Sequence, residues 1–221
     1  MWVKICGNTN LEDAQLAADL GADALGFVFA ESKRQVTATQ VAAITPHLPA
    51  NVERVGVFYS RDAKEIASIV CGAGLNAVQL HGGLDVDLAE RLRDLLGDGV
   101  RLIPTLHWSV GSDSGAALGG ELRKIVNAGA TKRVLIDSRV GQAGGGTGVA
   151  FDWAAARAVL AENAGGLKVI VAGGLRPENV GEAICELKPW GVDVVSGVEA
   201  SPGRKDPERL ASFLRIAKAA Q

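Results

Sequence analysis

The 221-residue chain has no basic excess, no paired cysteines and no long apolar run. Its 23 lysines and arginines against 25 acidic residues leave a formal charge of −2, so the electrostatic footprint of a nucleic-acid binder is missing. Cys6, Cys71 and Cys185 make no C-x-x-C pair, and an odd number does not suit a disulfide framework. A reducing, cytoplasmic setting is the expectation. Nowhere do about 18 apolar residues run together, so no membrane span is expected. Met1 leads directly into a strand-like run containing Lys4, without the apolar core of a signal peptide. The 3 histidines are scattered along the chain and offer no ligand cluster, so no metal is expected.

What is present is a metre. Short β-branched runs ("WVKIC", "ALGFVF", "VERVGVF", "NAVQLH", "VRLIPTLH", "RVLID", "KVIVAG", "GVDVVSG") alternate with segments of helical spacing such as "NLEDAQLAADLGA" and "DVDLAERLRDLLG". Asn10, Asp62 and Asp85 stand where helix N-caps belong, and Gly21, Gly72 and Gly97 where the chain leaves a helix. Alternation of this kind implies parallel strands joined by helical crossovers. An open doubly wound sheet would carry a glycine-rich dinucleotide fingerprint after the first strand, whereas "CGNTN" follows here. The pattern predicts an α/β fold, one (β/α)8 TIM barrel spanning residues 1–221 as a single domain. The passage at 107–121, "HWSVGSDSGAALGGE", reads as a loose surface connection.

In such a barrel the active site lies where strand C-termini feed their loops. Glycine collects after the late strands: "GGGTG" at 144–148, "AGG" at 172–174 and "SGV" at 196–198. Backbone N–H groups without a Cβ in the way can approach an anion, so three such loops on one rim point to a phosphate. Gly146, Thr147, Gly148, Gly173, Gly174, Ser196, Gly197 and Val198 are the candidate phosphate ligands.

On the first strand, Lys4 and Cys6 are two positions apart and share a face, about 6.6 Å from each other. An ammonium there favours thiolate and lowers the thiol pKa, which makes "KIC" a base with its electrostatic partner. Asp137 ends the sixth strand and faces the same mouth, so a substrate between the two can lose a proton on one side and gain one on the other. Arg34, after the second strand, is suited to holding a carboxylate bidentately. His81 alternates with Gln79 and points into the barrel as a supporting residue, while His47 reads as surface and His107 has no assigned role. Cys71 and Cys185 lie in helical patterns and read as core.

With these residues collected, the chain resembles the phosphoribosylanthranilate isomerases of tryptophan biosynthesis over essentially its whole length. The resemblance is carried by "VKICGNTNLEDA", "GADALGFVFAESKRQV", "VQLHG", "LIDS", "GGTGVAFDW", "AGGLRPENV" and "GVDVVSGVEASPGRKD" in this order. It implies Cys6 as catalytic base, Asp137 as general acid and Arg34 as contact to the anthranilate carboxylate. It also implies Asp193 as a contact to substrate hydroxyls or a partner of the acid, with Lys4 beside the substrate. Lys33 stands where the family has proline, and Val195 where it has serine. The implied reaction is an Amadori rearrangement of N-(5-phosphoribosyl)anthranilate, in which the substrate nitrogen is the electron sink and no cofactor or metal is required. The implied partner is a small phosphosugar, with no nucleic acid and no membrane, and a monomer or homodimer. Two alternatives stay open: a sister barrel acting on the histidine-pathway aminoaldose phosphate, and a non-catalytic phosphosugar binder that needs neither Cys6 nor Asp137.

Overall fold

A computed structural model describes residues 1–108, 114–138 and 153–220 of the chain. Eight parallel strands close on themselves in the order β1-β2-β3-β4-β5-β6-β7-β8. They are β1 (Trp2–Ile5), β2 (Ala24–Val28), β3 (Glu53–Phe58), β4 (Ala77–Leu80), β5 (Arg101–Trp108), β6 (Arg133–Ser138), β7 (Lys168–Ala172) and β8 (Gly191–Val194). Each is followed by a helix: α1 (Leu11–Asp19), α2 (Ala38–Ile44), α3 (Ala63–Gly72), α4 (Val86–Leu96), α5 (Ser114–Ala128), α6 (Trp153–Asn163), α7 (Val180–Leu187) and α8 (Pro207–Ala219). A small hairpin, β9 (Glu199–Ser201) with β10 (Arg204–Lys205), is inserted between β8 and α8. The predicted (β/α)8 architecture is therefore the observed one.

Period-two alternation divides the strand side chains between two packed layers. One set fills the barrel interior, where Ala24, Val55, Ala77, Ile103, Leu135 and Ile170 form a common cluster. The other set (Val3, Ile5, Leu25, Phe27, Val78 and Val192 among them) meets the apolar faces of the helices. The N-caps act as the sequence requires: the side chain of Asn10 accepts from Asp13 N–H, Asp62 from Lys64 and Glu65, and Asp85 from Leu88. Gly21 takes the left-handed conformation just past α1, with φ +94°. Gly72 does not serve that purpose: it is the last residue of α3, and Gly74, with φ +64°, makes the exit.

Two further expectations are corrected. The passage at 107–121, expected to be a loose connection, is regular structure at both ends, while residues 109–113 lie outside the described residues. His107 and Trp108 complete β5, and from Ser114 onward the chain is α5. Leu118, Leu122 and Ile125 recur at helical spacing and are buried, and this apolar face outweighs the low helix propensity of the glycines. Gly119 lies against Asn163 of α6, where its lack of a side chain lets the two helices approach. Cys71 and Cys185 are exposed, not core, because each falls on the outward face of its amphipathic helix.

The N-terminal end of the barrel is shut by an ion-pair and ring stack. Trp2 and Trp190 stack at 5.1 Å, the Arg133 guanidinium lies 4.7 Å over Trp190, and buried Glu53 receives Arg133 at 2.6 Å and Arg101 at 2.9 Å. Glu53→Ala leaves the mostly buried Arg133 without its counter-charge, so a loss of about 3 kcal/mol in stability is expected by urea unfolding. Glu53 is at the far end of the barrel from the site described below, and kcat at a permissive temperature should hardly move.

Candidate active site

A cleft of about 440 Å³ opens at the C-terminal ends of the strands, and Cys6, Arg34, Gln79, His81, Asp137, Gly173, Gly174, Asp193 and Ser196 all line it. A second cleft, of about 350 Å³, lies at the opposite end among Arg93, Arg101, Lys132, Arg133 and Lys168. It holds none of the predicted acid, base or phosphate residues. The C-terminal cleft is where the fold brings the chemistry together.

The face shared by Lys4 and Cys6 looks inward. In the β1–β8 register Lys4 stands opposite Asp193, and its Nζ donates to Asp193 Oδ1 at 2.9 Å. Lys4 is fully buried and is absent from the cleft lining, so its expected contact with substrate is corrected: its ammonium is committed to Asp193 and to Cys6. Burial works to lower the Lys4 pKa, but the Asp193 carboxylate and the neighbouring thiol outweigh it and hold it above the ordinary value. For Asp193, burial pushes upward against the pull of Lys4 and Lys205. The Asp137 carboxyl adds to the rise, and Asp193 ends above the usual carboxylate range while accepting from Lys4 at 2.9 Å.

Cys6 is 4% exposed. Burial raises its pKa, Lys4 and Lys205 draw it down, Asp193 adds to the rise, and the outcome is a thiol above its usual range. The expectation that Lys4 leaves a depressed thiol pKa is therefore corrected: desolvation wins in the free protein. The place for the Cys6 sulfur is cut out by Gly26, a residue inside a quoted motif but not singled out as a site residue. A Cβ on Gly26 of β2 would stand 2.5 Å from Cys6 Sγ and 3.0 Å from Lys4 Cε. The signal was present in the sequence, since a glycine inside the apolar strand "ALGFVF" marks a close approach. Gly26→Ala must displace the thiol or the ammonium, and a drop of at least about tenfold in kcat with the fold intact by circular dichroism is expected.

Arg34 lines the cleft, but one edge of its guanidinium is already taken. Nε donates to both Glu199 carboxylate oxygens at 2.8 and 3.0 Å, and Nη2 to Oε2 at 2.5 Å. Glu199 is buried and also receives Lys205 Nζ at 3.3 Å, while the same Nζ donates to the Cys6 carbonyl at 2.6 Å. Burial pushes Glu199 up, yet Arg34, Lys205 and the Gly203 N–H together bring it below the usual carboxylate range. The β9–β10 hairpin thus ties the arginine to the backbone of Cys6. Glu199 and Lys205 were not singled out from the sequence. They stand in the quoted stretch "GVEASPGRKD", but only chain closure reveals their partners.

Of the eight candidate phosphate residues, Gly146, Thr147 and Gly148 fall outside the described residues. Gly173 and Gly174 take φ values of +94° and +65°, and nothing lies within 4 Å of where a Gly174 Cβ would be. Ser196 is exposed beside them in the cleft. Gly197 is held to glycine for another reason: a Cβ there would overlap the Leu175 carbonyl oxygen, so its absence locks the loops after β7 and β8 together. Val198 turns its side chain into the core and does not line the cleft.

The histidines are also not as scattered as their sequence positions suggest. His107 stands opposite Asp137 in the β5–β6 register, and the His81 and His107 rings meet edge-on at 5.1 Å. Donor atoms of His81, His107 and Asp137 all lie within 4.8 Å of one another. His47 is exposed, as expected.

The family described as N-(5'-phosphoribosyl)anthranilate (PRA) isomerase matches residues 3–215. The enzyme of that name from Thermotoga neapolitana is 42% identical over 217 residues, 98% of each chain. The crystal structure of phosphoribosylanthranilate isomerase from Thermotoga maritima superimposes with a TM-score of 0.83 at 35% identity, covering 99% of both chains. Another phosphoribosylanthranilate isomerase, solved in complex with reduced 1-(o-carboxyphenylamino)-1-deoxyribulose 5-phosphate, gives a TM-score of 0.80 at 34% identity and 99% coverage. With a family match over residues 3–215 and relatives alike over nearly their whole length, the chain belongs to the N-(5'-phosphoribosyl)anthranilate isomerase family.

Proposed function

We propose that this chain, acting as one barrel domain, converts N-(5-phosphoribosyl)anthranilate into 1-(2-carboxyphenylamino)-1-deoxyribulose 5-phosphate, a step of tryptophan biosynthesis. The observation that carries the reading is the joint presence in one cleft of the Cys6 thiol, the Asp137 carboxyl, the Arg34 guanidinium and the left-handed Gly173 and Gly174. Asp137 protonates the ribose ring oxygen, the C1′–O bond breaks, and the substrate nitrogen becomes an iminium. The Cys6 thiolate takes the C2′ proton, whose bonding electrons move to form the enolamine and neutralise that nitrogen. Tautomerisation to the ketone completes the rearrangement, and the protons return through the same two groups. Arg34, braced by Glu199, receives the anthranilate carboxylate, and Asp193 faces the sugar hydroxyls. Gly173, Gly174 and Ser196 hold the phosphate, with Gly146, Thr147 and Gly148 from the loop after β6.

The test is direct. Phosphoribosylanthranilate generated in situ loses its fluorescence as it is consumed, and the protein should accelerate that loss catalytically. Inorganic phosphate should compete with the substrate and raise KM without lowering kcat, because it occupies only the phosphate subsite. A protein that binds the substrate without consuming it, or that turns over only the histidine-pathway aminoaldose phosphate, overturns the assignment.

A further inference from the structure

We propose that His81, His107 and Asp137 form a chelating site for a divalent transition-metal ion of the zinc or cobalt kind at the mouth of the barrel. Three consecutive strands deliver the three side chains: His81 directly follows β4, His107 is on β5, and Asp137 is on β6. Parallel pairing sets His107 and Asp137 side by side, with adjacent strands about 4.8 Å apart. Each residue offers one donor atom, and all three donors lie within 4.8 Å of one another. A tetrahedral shell with bonds of about 2.1 Å puts its donors about 3.4 Å apart. The widest pair therefore closes by about 1.4 Å or less, within the reach of small side-chain rotations in an open cleft.

The donor set is chemically apt. Two imidazoles and one carboxylate suit borderline divalent ions, carry one negative charge, and leave a coordination position for water or another ligand. The rings are also partly fixed in advance. His81 lies 4.6 Å from the Tyr59 ring, and its backbone N–H donates to the Phe58 carbonyl at 2.9 Å. Among the described residues this is the one group of three such donors that converges. An ion bound there occupies the Asp137 lone pair that a proton otherwise takes. If Asp137 is the acid, as the proposed function has it, the same ion is expected to block turnover.

The experiment uses full-length Cys71→Ser/Cys185→Ser protein, because those two thiols are exposed and thiolates are competing ligands for such ions. Cobalt(II) titration is followed by visible d–d absorption and by equilibrium dialysis. One equivalent with a low-coordinate spectrum is expected, displaced by zinc. His107→Gln and His81→Gln should each weaken binding by at least about tenfold, while exposed His47→Gln leaves it unchanged. No stoichiometric cobalt, or binding by the His81 and His107 variants as tight as the parent's, overturns the site. Thiolate-to-cobalt charge transfer that disappears in Cys6→Ser does the same, since the ion would then sit on sulfur. Stoichiometric cobalt that leaves isomerisation untouched supports the site and removes Asp137 as the acid, so the two readings fail separately.

Discussion

Cys6→Ser should lower kcat by about 10³-fold, within the range for loss of a positioned general base. Serine keeps nearly the same shape beside Gly26 and Lys4 but is far less ionised than a thiol at any working pH. Cys71→Ser and Cys185→Ser, both at exposed positions, should leave kcat unchanged. The burial that raises the Cys6 pKa also sets the pH dependence. With the Cys6 thiolate as the proposed base, kcat/KM should climb with pH, the rise lying above the ordinary thiol value of about 8.5. Stability carries the same sign. A thiol whose pKa is raised on folding contributes stability that is fully present below about pH 8.5 and is lost as pH rises through the folded value. Denaturant unfolding at neutral and alkaline pH should therefore show an alkaline loss that shrinks in Cys6→Ser. Full turnover by that variant would remove the thiol from the mechanism.

Asp137→Asn is the second large effect. The amide keeps the shape of the carboxyl but has no acidic proton to give the ring oxygen, so kcat should fall by about 10²–10⁴-fold. KM should stay within about tenfold, since the interaction lost is one made in the transition state. Steady-state kinetics with fluorescent substrate decide the matter. Turnover close to normal in Asp137→Asn would place the acid elsewhere, with Asp193 next in line.

The barrel was readable because its strands announce themselves by apolar runs and its helices by caps. Asn10, Asp62 and Asp85 cap α1, α3 and α4 as their positions require. Local residues decide such features, so a linear reading captures them. The helix α5 escaped because glycine and serine around position 115 look like loop chemistry, while its stabilising contacts, Leu118 and Leu122 against the barrel, are tertiary. Cys71 and Cys185 were misassigned because a helical pattern fixes a period, and the face that each cysteine occupies had to be read against its neighbours. In the cleft, Cys6, Arg34 and Asp137 could be found from their strand ends. The thiol's raised pKa could not, for desolvation depends on how many elements surround a group, whereas Lys4 two residues away was visible in the sequence. Glu199 beside Arg34, and His107 beside Asp137, are pairings that only strand order creates.

The seam between β1 and β8 has a consequence for synthesis. Lys4 meets Asp193 across a sequence separation of 189 residues, and the Cys6 carbonyl meets Lys205 across 199. The first strand to leave the ribosome thus waits for almost the last. At about 5–20 residues per second, some tens of seconds or less separate them, during which a lysine and a thiol destined for the interior have neither counter-ion nor cover. Contacts of such long range are closed late, after their loop entropy has been met by the rest of the barrel. A nascent chain ending before residue 190 therefore carries Cys6 and Asp137 but neither Asp193 nor Lys205, the partners that hold the first strand's polar groups.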